Sequence, residues 1–570
     1  MNEKRIRNLV LIAVIVITAV VHSGDLSLGF NSFWDMIHVY QNPFQSSISL
    51  ELIGRAFTEV VEAEYTPFRS LSNSLDYTLW GDNAFGHHLT SYLIFLFSTA
   101  LVFVLIERLM DQARCRFKRR IFVAGLTALL FGIHPLKVQV VAWVTPRDYQ
   151  LGACFILLCI LMYIKWFRSR SGGWYVLAVL FALCSSLSQA MAVSLPLVLL
   201  VLDYYPLRRF REGSVTKLLV EKAPFVLIAL LTAVVTGQIR HHVQILHPVG
   251  LSSLARNGLE FPSAMMFYIG KTFFPLHLAP IYPMETTGAP GLMIFSWVVM
   301  AGLVAVSAKR RKRHPALFTG VLISIVIFLP AGGLVRSGVT VLADRYVQLA
   351  NLALLLGIAW IIAGGLRSSR FRYPVGVLSL AWIAFLVWKT VTYTSLWDKS
   401  IELTRQAYDR YPQSRIIEIF MLRSYSNVAV ELMDEGRMDE ALECCRKSLA
   451  INPAHIDTYR ILGLMHSRTG RGKEGIACFR KVTELNPYDA DAFFNLGLAC
   501  RQMGRPGEAI DAFKRVVEID PSYGRAHHNL AWLYYGENEY AGALRHCDRA
   551  LELGCTVEAE LLRNLRAHRR

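Results

Sequence analysis

Asp35 is the residue around which chemistry could be built in this chain. It stands in FNSFWDMIHVYQNP (Phe30 to Pro43), beside the aromatics Phe33 and Trp34 and ahead of an Ile/His/Val/Tyr segment, just after the first apolar run ends. A carboxylate at the mouth of a membrane helix is either an interfacial turn residue or the working group of a membrane enzyme, and position alone leaves both open. Other polar and ionisable groups gather at the outer ends of apolar runs: His38, Arg69, His87, His88, His134, Lys137, Arg147, Asp148, Lys271, Asp344 and Arg345. Singly, each is more often a snorkelling or capping residue than a catalyst. Jointly they describe an outward cavity with several cations and one candidate base, which suits an anionic lipid headgroup such as a polyprenyl phosphate. Arginine grips phosphate bidentately and lysine acts as a point charge. A carboxylate beside such a site could take the proton of an attacking hydroxyl while a cation neutralises the departing phosphate.

The elements that must position these groups are apolar runs of membrane-crossing length, about 20 residues each. Eleven qualify, centred near residues 8–23, 89–109, 121–136, 150–167, 173–189, 190–206, 222–238, 291–308, 315–331, 346–364 and 374–391. With the basic N-terminus in the cytoplasm, alternation puts the Arg/Lys-rich loops 114–120, 168–172, 207–217, 309–314 and 365–373 on the cytoplasmic face, as the positive-inside rule requires. Loops 24–88, 134–149, 239–290 and 336–345 then face outward, as does everything after residue 391. The apolar stretch 261–278 would break that alternation as a twelfth crossing, so it is expected to be re-entrant or to lie in the interface. Residues 68–81 read as an amphipathic helix at the membrane surface. A bacterial inner membrane or its equivalent is the expected location.

Composition agrees with two unlike regions. The 570 residues are 54% hydrophobic and 18% charged, with a mean hydropathy of +0.36. That balance is too apolar for a soluble globular chain and, beyond residue 400 or so, too polar for a purely embedded one. The net charge of +17 falls in short clusters flanking the apolar runs, so it reports topology and excludes a nucleic-acid partner. Ten scattered cysteines contain no CxxC pair, and no zinc spacing is present.

After residue 412 a period of 34 sets in: Pro453, Pro487 and Pro521 repeat at that interval, as do Gly463 and Gly497 with Ala531 in register, and Ala509 with Ala543. With Phe479 and Phe513 and a closing proline, this is the tetratricopeptide signature. Copies start near 422, 456, 490 and 524, the last closing on Cys555 in place of proline, with a half copy at 396–412. Such helical hairpins stack into a solenoid with a concave groove. The expected division is a membrane domain over 1–395 and an extracytoplasmic repeat domain over 396–570.

Four stretches in order, Phe30 to Pro43, YTPFRSLSNSLDYTLWGDNAFGHHLTSYLIFL (65–96), FGIHPLKVQVVAWVTPRDYQLGACFILL (131–158) and FLPAGGLVRSGVTVLADRYVQLANLALL (328–355), followed by the repeats, resemble the transmembrane and tetratricopeptide repeat-containing O-mannosyltransferases and their bacterial relatives, of the GT-C glycosyltransferase superfamily. The resemblance implies an all-helical polytopic bundle of GT-C type and an isoprenyl-phosphate sugar as donor. It implies that Asp35 is the catalytic carboxylate and Asn42-Pro43 its anchor, that His134 and Arg147 contribute to the cavity, and that Arg345 of the Arg-Tyr motif holds donor phosphate. Two departures stand out. The family offers paired acids where this chain has Trp34-Asp35-Met36, and a glutamate where Gln139 stands. An amide hydrogen-bonds but neither acts as a base nor binds a divalent cation well, so no metal is expected.

The expectation is therefore an integral membrane glycosyltransferase that moves mannose or another hexose from a polyprenyl-phosphate donor to a hydroxyl of a protein or glycan. Asp35 would be the base. Arg69, Arg147, Lys271 and Arg345 would contact the donor phosphate, His38, Asn42, His134, Gln139, Asp148 and Asp344 would support the cavity, and the repeat groove would recruit a protein acceptor. The alternative is a catalytically silent membrane scaffold whose repeats assemble an envelope or secretion complex.

Overall fold

The computed structural model describes residues 2–30, 35, 44, 46–61, 64–211, 214–242, 251–283, 288–331 and 342–568. Of the expected site residues, His38 and Asn42 lie outside this set. Regular structure among the described residues is helical, with two isolated β-bridges, Val61 with Glu64 and Tyr282 with Leu342. The chain forms two compact units, Met1–Ile417 and Glu418–Arg570. The sequence reading divides it after residue 395, but Trp397, Leu403, Ala407 and Ile417 are buried in a core of the first unit.

In the first unit the helices are α1 (Glu3–Val21), α2 (Leu50–Thr58), α3 (Pro67–Trp80), α4 (Ala84–Gln112), α5 (Phe117–Gly132), α6 (Val138–Ala142), α7 (Arg147–Ser169), α8 (Gly172–Ser188), α9 (Leu195–Tyr204), α10 (Val215–Val220), α11 (Ala223–His242), α12 (Leu251–Phe273), α13 (Pro290–Lys309), α14 (Pro315–Ala331), α15 (Leu352–Gly365), α16 (Arg372–Thr394) and α17 (Ser400–Arg410). Among the described residues, four are long and apolar enough to cross a membrane: α4, α7, α13 and α16. A fifth arises if α5 and the stretch Pro135–Ala142, bent from it by 58°, count as one span. All eleven apolar runs contain helix, but several are too short to cross alone at 1.5 Å per residue, so eleven crossings are not established. The apolar solvent is evident on α13, where Ile294, Phe295 and Val298 are 68%, 61% and 65% exposed. So large an apolar surface has no favourable contact with water, and the chain is an integral membrane protein.

The bend between α5 and α6 follows from Pro135. A residue before proline is pushed out of the α region, and His134 is accordingly extended at φ −78°, ψ 130°. Its Nδ1 then accepts the Leu136 N–H at 3.2 Å and caps the short helix that follows. Helix α3 turns its polar side inward: Arg69, Ser70, Ser74 and Asp76 are buried, while Leu75, Leu79 and Trp80 are exposed. Segment 261–278 begins within α12, which buries Asn257, Glu260, Ser263 and Thr272.

The second unit carries the repeat helices α18 (Arg415–Asp434), α19 (Met438–Ile451), α20 (Ile456–Arg468), α21 (Gly472–Leu485), α22 (Ala490–Gln502), α23 (Pro506–Ile519), α24 (Gly524–Gly536), α25 (Tyr540–Glu552) and α26 (Ala559–Arg566). The turn inside each hairpin needs a left-handed residue. Gly436, Gly470 and Gly504 supply it at φ +80°, +75° and +69°, and Asn538 supplies it in the fourth copy at +63°. At Gly497 an added Cβ would meet the ring of Phe513 at 2.8 Å, and Phe513 is fully buried. Gly497→Leu is therefore expected to destabilise the repeat unit by about 1–3 kcal/mol through overpacking. Urea unfolding of the purified chain checks this, with Gly507→Ala, where nothing lies within 4 Å, as the neutral control.

Candidate functional site

The end of the turn between α6 and α7 and the first residues of α7, Thr145 to Tyr149, gather the candidate residues. Asp35 is fully buried, and its Oδ1 accepts the Thr145 hydroxyl at 2.5 Å. His87 and His88 both feel its charge, so the carboxylate sits among polar groups. His88 Nε2 in turn lies 3.2 Å from the Gly29 carbonyl.

Two residues along, Arg147 is fully buried and turns toward α3 and α4. Its Nη1 pairs with Asp76 and reaches Ser72 at 3.4 Å. Nη2 donates to the His87 carbonyl at 2.8 Å and to Ser91 at 3.1 Å, and Nε to Ser91 at 3.3 Å. Asp76 also accepts the Thr90 hydroxyl at 2.7 Å. Every nitrogen of the guanidinium is thus engaged inside the protein, at a residue for which the sequence reading expects a donor-phosphate contact. Its partner Asp76 was missed in the sequence; the signal was an acid two turns beyond Arg69 on the polar side of α3.

Asp148, next in the chain, has a different set of partners. Gln189 Nε2 donates to it at 2.9 Å. Arg69 and Arg345 are its opposite-charge neighbours and Glu64 its like-charge neighbour. Arg69 is paired with Glu64 at 2.9 Å. Arg345 hydrogen-bonds Tyr149, and its guanidinium carbon lies 4.9 Å from the Tyr346 ring centroid and 5.7 Å from that of Trp143. Two of the four expected phosphate-binding cations, Arg69 and Arg345, are therefore brought to one carboxylate.

Lys271 belongs to a different cluster. Its Nζ donates to the carbonyls of Leu276 and His277, the latter at 2.9 Å, and lies 5.0 Å from the Tyr282 ring centroid. Tyr282 and Tyr393 donate to Asp344 at 2.8 and 3.3 Å. Burial pushes the Asp344 carboxyl up to about 7, against the pull of Lys271, the two tyrosine hydroxyls and Arg345.

His134 and Gln139 are ties between segments. With His134 Nδ1 accepting from Leu136, Nε2 carries the proton and donates to the Thr272 carbonyl at 2.9 Å. Gln139 donates to the Pro280 carbonyl at 3.0 Å and accepts the Arg345 N–H at 2.7 Å. A glutamate could make only the second of these bonds while ionised, so the amide suits this position.

A narrow apolar groove with about 50 Å³ of internal space runs beside the cluster, walled by Ile156, Ile160, Leu195, Val198, Ile327 and Leu352. Tyr149, Gln189 and Gln348 also line it. Gln189 holds Asp148 and Tyr149 holds Arg345, so its polar part adjoins the two arginines.

Tetratricopeptide repeat family models match residues 422–455, 490–523 and 526–557. Over 422 residues the chain is 22% identical to a protein O-mannosyl-transferase of Caenorhabditis elegans, covering 73% of this chain and 58% of that one. Over 453 residues it is 23% identical to Protein O-mannosyl-transferase TMTC1 of Homo sapiens, covering 70% and 49%. The chain thus spans about half the length of these curated relatives. Among solved structures, the crystal structure of MamA is 23% identical over 27% of this chain and 86% of its own, at a TM-score of 0.24. Over most of its length the chain resembles the protein O-mannosyl-transferases.

Proposed function

From that likeness, we propose that the chain is a glycosyltransferase of GT-C type that moves mannose or another hexose from a polyprenyl-phosphate donor to a hydroxyl of a protein acceptor. The observation that carries this reading is the stretch Thr145 to Tyr149: Thr145 holds Asp35, while Asp148 and Tyr149 face Arg69 and Arg345 at the polar part of an apolar groove. A lipid-linked sugar has that same division, an apolar chain joined to an anionic head. The groove would take the isoprenoid and the arginines the phosphate, bidentately. Asp35 would remove the proton of the acceptor hydroxyl as its oxygen bonds to the sugar carbon. The bond from that carbon to phosphate breaks, and Arg69 and Arg345 offset the charge on the leaving polyprenyl phosphate.

The distribution of basic loops supports an orientation with the Arg- and Lys-rich loops in the cytoplasm and the Thr145 turn and the repeats outside. The repeats would recruit the acceptor polypeptide. Purified chain in detergent, given polyprenyl-phosphate mannose and an unstructured Ser/Thr-rich protein, is expected to add hexose to the protein, read by mass spectrometry. If no hexose is added while the repeats still retain partner proteins, the scaffold alternative replaces this reading.

A further inference from the structure

Lys137 is fully buried, yet its closest partners include no carboxylate. Its Nζ donates to the Val347 carbonyl at 2.8 Å, the Gln348 carbonyl at 2.9 Å and Asn351 Oδ1 at 2.9 Å. Three acceptors match the three N–H bonds of an ammonium. Two residues on, Gln139 accepts the Arg345 N–H at 2.7 Å and is itself braced on the Pro280 carbonyl at 3.0 Å. One short stretch after the bend therefore grips the segment 345–351 at the backbone of Arg345, Val347 and Gln348 and at the Asn351 side chain.

We propose that Lys137 is a positioning residue for donor binding: with Gln139 it clamps the Arg345 segment and so sets where that guanidinium meets the donor phosphate. This rests on the transferase reading. A buried ammonium left without its acceptors would be costly, so the clamp has one low-energy register. The planar fork of an arginine does not converge on three acceptors around a point, and Lys137→Arg is expected not to rescue.

The test compares Lys137→Met, Gln139→Leu and Arg345→Met, assayed for transfer from polyprenyl-phosphate mannose and for binding of polyprenyl phosphate alone. Since a misplacement of about 1 Å can cost about 100-fold, Lys137→Met is expected to raise the donor KM and the polyprenyl phosphate Kd by about 10-fold to 100-fold. Acceptor KM should stay unchanged, and the loss should not add to that of Arg345→Met. Gln139→Leu, a milder change, should shift donor KM in the same direction. If Arg345→Met raises donor KM while Lys137→Met and Gln139→Leu leave it at the parental value, or merely lower the folded fraction, the clamp is structural and the proposal is wrong. If the parent neither transfers sugar nor binds polyprenyl phosphate, the transferase reading fails first and the proposal goes with it.

Discussion

Asp35→Asn is expected to slow sugar transfer by about 10²–10⁴-fold, the usual contribution of a general base, without weakening the fold. The substitution is isosteric. The amide oxygen still accepts the Thr145 hydroxyl that reaches Asp35 Oδ1 at 2.5 Å, so the contact that orients the side chain survives and the proton-accepting charge does not. Donor KM should hold, because the phosphate contacts are assigned to Arg69 and Arg345 and not to Asp35. Urea midpoints of parent and variant should coincide, and that coincidence separates a lost base from a lost fold. The neighbouring imidazoles sharpen the test. His87 and His88 are both charge neighbours of Asp35, and an imidazole acting in its place would leave Asp35→Asn with near-parental turnover. Transfer within a factor of two of the parent would remove Asp35 from the chemistry.

What could be read from the residues and what could not divides along contact distance in sequence. The repeats were legible because each copy is a local hairpin: a left-handed glycine at 436, 470 and 504 recurs with the same period as the prolines. Apolar runs announced their helices for the same reason, since helical bonds are local. How many of those helices cross a membrane was less legible, because a 14-residue helix such as α15 is apolar yet too short to cross alone at 1.5 Å per residue. The site was legible in its parts list and not in its pairings. Arg147 looks like a phosphate ligand in the linear chain, while its actual partner, Asp76, stands 71 residues earlier in a stretch read as a surface helix. Gln139 looks like a lost acid, and becomes an amide doing what an acid could not only once the Pro280 carbonyl is beside it. Lys271 was grouped with the arginines by sign of charge alone. Nothing local distinguishes a cation that faces Asp344 from one that faces Asp148.

The Arg147–Asp76 pair gives the largest stability effect to be expected in the first unit. Both side chains are buried, at 0% and 1% relative exposure, in a unit whose surroundings are largely apolar. Removing one member leaves the other as an uncompensated buried charge, at a cost of about 3–5 kcal/mol. Arg147→Met is therefore expected to lower the unfolding free energy of the detergent-solubilised chain by that amount, with most molecules unfolding at a visibly lower urea concentration. Asp76→Asn should cost less, because the asparagine oxygen can still accept from Thr90 and from the guanidinium. The double variant Asp76→Asn with Arg147→Met removes both charges, and should recover much of what Arg147→Met loses, since contacting residues couple by about 0.5–3 kcal/mol. A phosphate ligand would behave otherwise: Arg147→Met would raise donor KM and leave the urea midpoint alone, and Asp76→Asn would not rescue it. The double-mutant cycle thus decides between a cation that holds the bundle around Asp35 and one that holds the substrate.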